Sequence, residues 1–227
     1  MSFKAKIAAG AATFALVGGG LGMVSTLSAS AATPSCGHNC DSYYTQKYHS
    51  TYVLDVLHGW ASAGNEIILF QRSNSDPAED FVTTDLGTVG SFYSHNRNLI
   101  SPGFDQAYHN EEAIEIQYEP SGRNSNFCVG TWPGQTAQSG WKVRLETCGQ
   151  TSTIWAVDTK DQPHYHGYTP LVTGTDTNFS NPLVLNYPAG NPTDYPRPWL
   201  NVQPLSNYSN GDVYDNQEWA YHRGVLP

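Results

Sequence analysis

An all-β fold of three related units, with about twelve short strands, is what this sequence predicts, and three observations predict it. Aromatic residues make up 12% of the chain, with 14 Tyr and 6 Trp, while heptad or Lys/Glu-rich helical stretches are missing. The 227 residues carry 21 Gly and 14 Pro, too much punctuation for long helices and well suited to short strands joined by turns. Finally, one strand pattern recurs three times along the chain.

Taken in order, residues 1–32 read as a secretory signal peptide. Lys4 and Lys6 precede an apolar stretch from Ile7 to Val24, and Ala29-Ser30-Ala31 forms a small-x-small cleavage site. Gly10 and Gly18 to Gly20 thin that stretch and no basic stop-transfer follows, so a membrane anchor is disfavoured and the protein is expected to be secreted and extracellular. Residues 33–50 form an N-terminal arm with Cys36 and Cys40, and residues 51–227 the main domain. In an oxidising compartment the four cysteines pair as two disulfides. Three connectivities are possible, of which Cys36 with Cys40 and Cys128 with Cys148 is the most local. A metal site at Cys36, Cys40 and His38 has too few ligands.

The first unit runs Tyr52-Val-Leu-Asp-Val56, Glu66-Ile-Ile-Leu-Phe70 and Glu79-Asp-Phe-Val82. The second runs Phe127-Cys-Val-Gly130, Trp141 to Glu146 and Thr153-Ile-Trp-Ala-Val157. The third runs Leu183 to Tyr187, Trp199 to Gln203 and Gln217-Glu-Trp-Ala-Tyr221. Within Lys142-Val143-Arg144-Leu145 the apolar and charged residues alternate, as a half-buried strand requires. A further strand is expected before each unit, notably Ala113 to Tyr118, and Gly90 to Asn110 reads as an insertion. The closing aromatics Phe81, Trp155 and Trp219 are 74 and 64 residues apart, about one third of the chain left after the leader.

A short apolar strand often holding Cys and Asp, a second strand and a Gln-x-Trp closure resemble the ricin-type β-trefoil lectin domains of secreted bacterial proteins. Gln217-Glu218-Trp219 matches outright, Thr153-Ile154-Trp155 keeps the Trp, and Glu79-Asp80-Phe81 keeps an aromatic. The resemblance covers Tyr43 to His222 and implies that Phe81, Trp155 and Trp219 fill the core near a pseudo-threefold axis. It also places Cys128 and Cys148 where such domains often carry a disulfide.

Sugar recognition in that family pairs an aromatic platform with carboxylate and amide groups. Carried over to the first unit, it implies Asp55 as the sugar-binding acid and Phe70 as the platform, with Asn74, Asp76 or Glu79 adding a polar contact. Ala78 stands where the family usually has Asn, and Asp55 has the alternative role of tying down its loop. His58 and Trp60 either extend this site or pack beside it. In the second unit Gly130 and Glu146 replace acid and ring, so that site is expected to be degenerate. In the third, Asn186 and Gln203 do so, with Tyr187, Tyr195 and Trp199 as other aromatic surfaces.

Removing the leader leaves nine Lys and Arg against twenty Asp and Glu, a net −11 that repels nucleic acid and anionic membranes alike. No nucleophile elbow, zinc-protease motif or phosphate loop is present. His164-Tyr165-His166 offers two ligands on one face and no third, and Glu111, Glu112 and Glu115 read as a polar strand face. No enzyme activity, metal or cofactor is therefore expected. The expected function is a secreted, non-catalytic, lectin-like module for a glycan or polysaccharide, best served by the first unit. The alternative is a protein-binding adaptor or inhibitor on a degenerate trefoil that docks another secreted protein.

Overall fold

The computed structural model describes residues 40–73, 75–160, 167–188, 190–193 and 198–223. The signal-peptide reading of 1–32, together with Cys36, Asn74, His164, His166 and Tyr195, lies outside the described residues. Twelve strands are found among those described, four to each unit. The first unit supplies β1 (Asp41–Thr45), β2 (Tyr52–Val56), β3 (Ile67–Gln71) and β4 (Phe81–Thr88). The second supplies β5 (Glu112–Tyr118), β6 (Phe127–Gly130), β7 (Arg144–Thr147) and β8 (Trp155–Val157). The third supplies β9 (Leu171–Thr173), β10 (Leu183–Asn186), β11 (Asn201–Pro204) and β12 (Trp219–Arg223).

The first and last strand of each unit build a six-stranded barrel. β12, β1, β4, β5, β8 and β9 pair antiparallel in that order, and reciprocal 2.9 Å backbone hydrogen bonds between Thr169 and Trp219 close the ring. The middle strands form three hairpins, β2–β3, β6–β7 and β10–β11. Single bridges link these hairpins pairwise, Glu66 to Arg144, Ile68 to Trp199 and Lys142 to Asn201, so they form a triangular cap. A six-stranded barrel capped by three hairpins is a β-trefoil.

Inward-facing residues of all three units share one core. Phe81, Trp155 and Trp219 are buried in it together with Leu54, Val129 and Leu185 of the hairpins. Trp155 Nε1 donates to the Val129 carbonyl at 2.9 Å and Trp219 Nε1 to the Leu185 carbonyl at 2.8 Å. Phe81, the counterpart in the first unit, has no N–H to make this bond. The Cys128–Cys148 disulfide ties the start of β6 to the residue after β7, and Cys40 is also disulfide-bonded.

The structure corrects one expectation. Asp41–Thr45 is not an arm outside the domain: it lies in the barrel between β4 and β12, so the domain boundary at residue 51 falls too late. Its alternate residues Asp41, Tyr43 and Thr45 are buried, and two of the three are polar, which hides the strand pattern. Two short helices, α1 (Val89–His95) and α2 (Pro102–Tyr108), occupy the insertion between β4 and β5. Each starts at a hydroxyl cap, Thr88 accepting from the Ser91 N–H and Ser101 from the Phe104 N–H. Ala113, Ala156, Val172 and Val184 form a row across β5, β8, β9 and β10, and with Val89, Ile100, Phe104 and Tyr108 they make a second core. Gly103 permits this packing, because a Cβ there would sit 2.6 Å from the Phe179 ring. Among the described residues no helix is long and apolar enough to cross a membrane.

Candidate functional site

The β2–β3 hairpin places Asp55 opposite Ile68 and Val53 opposite Phe70. Asp55 and Phe70 thereby come to one cleft of about 320 Å³, completed by His58, Gly59, Asp76 and Ala78. The wall at 57–60 is fixed from two sides. The Asn65 side-chain amide donates to the Leu57 and Trp60 carbonyls, both at 2.8 Å, and the Tyr118 hydroxyl donates to the Gly59 carbonyl at 3.0 Å. The opposite wall is the 3-10 turn Pro77–Glu79, where the Asp76 carboxylate accepts from the Ala78 N–H at 3.0 Å. Trp60 stands at the rim, 66% exposed, with its ring 5.2 Å from that of His58.

Three acidic side chains converge here, with carboxylate oxygens of Asp55, Asp76 and Glu79 within 4.8 Å of one another. That is a hard, oxygen-only donor set, the kind suited to Ca²⁺ or Mg²⁺. Glu79 also holds the loop, both of its oxygens accepting from the Ser73 N–H at 2.8 and 2.9 Å. Burial, reinforced by repulsion from Asp55 and Asp76, pushes its carboxyl up to about 8. At neutral pH Glu79 is therefore largely protonated beneath the cleft.

A pH dependence follows from Glu79. Its folded pKa stands above the unfolded value of 4.5, so the folded state holds a proton that the unfolded state has lost between those pH values. Its contribution to stability is present below pH 4.5 and is lost as pH rises toward 8. We expect the urea midpoint to fall between pH 5 and 8, and to fall less in Glu79→Gln. Glu218, pushed up to about 7 by burial, acts in the same direction and leaves a residual slope. An unchanged slope in Glu79→Gln would contradict this assignment.

The equivalent positions in the other units are filled by protein. In the second, Gly130 leaves no room for an acid, since a Cβ would lie 2.5 Å from the Ser152 carbonyl oxygen. The same carbonyl accepts from the Thr131 N–H at 3.0 Å, so the turn is seated on the strand. In the third, Asn186 donates to Asn201 at 2.7 Å and accepts from Asn216 at 2.9 Å, which commits both ends of its amide. Of the sequence-derived candidates, the structure thus gathers Asp55, Phe70 and Glu79 around one site and leaves Asn186 in a separate network. Sequence reasoning passes over Asn65 and Tyr118. Tyr118 belongs to the next unit and carries no motif, so only its hydroxyl contact reveals it.

No family model matches the chain, and no curated protein does. Solved structures match its fold. A designed threefold-symmetric protein, ThreeFoil, is 17% identical with a TM-score of 0.54, over 83% of this chain and 99% of its own. An exo-β-1,3-galactanase from Clostridium thermocellum is 15% identical with a TM-score of 0.52, over 82% of this chain and 30% of its own. A mosquitocidal holotoxin is 12% identical with a TM-score of 0.50, over 82% of this chain and 17% of its own. At these identities the likeness is one of fold.

Proposed function

We propose that this protein is a secreted, non-catalytic, lectin-like module that binds a glycan or polysaccharide through the first-unit cleft. The observation that carries this reading is the convergence of Asp55 and Phe70 on one cleft whose walls are already pinned by Asn65 and Tyr118. The ring face of Phe70 suits the apolar face of a pyranose, while Asp55 and Asp76 suit its hydroxyls. A trefoil of this kind inside a chain named as a galactanase, and another inside a holotoxin, support the reading.

Glycan-array screening followed by titration calorimetry tests it. Asp55→Ala and Phe70→Ala, each with its cooperative melt retained, are expected to weaken a detected sugar at least tenfold, the loss of roughly one charged hydrogen bond or stacking contact. Unchanged affinity in both variants would remove the pocket from consideration. The filled sites of the second and third units favour a second reading, an adaptor or inhibitor that docks another secreted protein. Sizing the native protein from culture fluid separates the two, because a constitutive partner would co-elute.

A further inference from the structure

Lys142 and Arg144 stand two residues apart and so project from the same face of the hairpin in the second unit. Each is the centre of a carboxylate–cation–indole chain. The Lys142 ammonium is 2.7 Å from Glu66 and 3.0 Å from the centre of the Trp199 ring. The Arg144 guanidinium pairs with Glu146 and lies 3.4 Å from the centre of the Trp132 ring. Glu66, Lys142, Arg144 and Trp132 line, with Trp141, a cleft of about 400 Å³ between the hairpins of the first and second units, and Trp199 and Glu146 stand behind Lys142 and Arg144. The cleft contains neither Asp55 nor Phe70, although Glu146, which holds Arg144, occupies the second unit's platform position.

The geometry points to a second binding site at this cleft, for a neutral oligosaccharide long enough to meet more than one indole. Trp132 is 45% and Trp199 38% exposed, yet neither ring is loose, since a cation covers one face of each. The cations are in turn held by carboxylates, and Glu146 is buried. Rings fixed in advance lose little freedom when a pyranose stacks on them. The ligand class follows from the charges. Two cations face two carboxylates, so the cleft is balanced, and the whole chain at −9 repels polyanions. Uncharged hydroxyls can accept from Lys142 and Arg144 and donate to Glu66 without leaving a charge unpaired. The site shares the carbohydrate-binding reading proposed above but uses none of its residues.

The test is a titration followed by the six tryptophan indole N–H resonances, with Trp132 assigned through Trp132→Phe. Xylotetraose, chitotetraose and a β-1,3-galactotetraose serve as neutral probes, and trigalacturonate as the acidic one. At least one neutral probe should move the Trp132 resonance together with that of Trp141 or Trp199. Trp132→Ala and Trp199→Ala should each weaken that binding at least tenfold, while Asp55→Ala leaves it unchanged. The inference is overturned if Trp132 responds to no neutral probe, if trigalacturonate binds there more tightly, or if both indole variants bind as the native protein does. A response confined to Trp60 would support the first-unit cleft alone, whereas a Trp132 response with Asp55→Ala silent throughout would leave this site standing without the first.

Discussion

Replacing Trp155 with alanine is expected to destabilise the protein by about 3–5 kcal/mol, read as a drop in the urea midpoint at constant slope. The side chain is fully buried where the three units meet, and its removal leaves both a cavity and an unpaired Val129 carbonyl. Trp219→Ala should behave alike, given its matching bond to Leu185. Against a typical total stability of about 5–15 kcal/mol, either variant sits near the edge of folding. Trp155→Phe separates the two contributions. It retains most of the buried ring and gives up the N–H, so it should cost about 1–3 kcal/mol. The first unit already works this way, with Phe81 at the equivalent position. Equal losses in Trp155→Phe and Trp155→Ala would show that the hydrogen bond, and not the filling of the axis, dominates.

Removing the Cys128–Cys148 disulfide by double alanine substitution is expected to cost about 3 kcal/mol, the chain-entropy value for a loop of this length. The native hairpin should persist, because Phe127 to Gly130 remain paired with Arg144 to Thr147. Denaturation with and without reductant measures the effect. The native protein should lose stability on reduction, and the double variant should respond less, its remaining sensitivity coming from the bond at Cys40. A double variant as stable as the native protein would mean that the unfolded chain is already held compact.

The three hairpins are legible in the sequence because their buried residues are apolar and their turns are marked by Gly or Pro. The barrel strands are less so. β1 reads Asp-Ser-Tyr-Tyr-Thr, and its buried Asp41 accepts hydrogen bonds from Thr83, so a polar residue occupies a position where the pattern calls for an apolar one. The helices α1 and α2 span seven residues each, too short for a helical period to emerge, and Gly90 and Gly103 serve close packing there rather than a turn. For the candidate site, Asp55 and Phe70 follow from the family resemblance, which depends only on position within one repeat. The convergence of Asp55, Asp76 and Glu79 follows instead from how the 3-10 turn folds back on β2. Trp132 and Trp199 belong to different units and are linked only through Lys142 and Arg144 of one hairpin, so no local window contains them.

The pairing of β1 with β12 sets the order of events when the chain is made. The first barrel strand leaves the ribosome with one edge bare, and the strand that covers it is the last of the twelve. Closure of the ring therefore awaits all three units, and the slow step of assembly is expected to be the long-range meeting of β1 with β12 rather than the growth of any one unit.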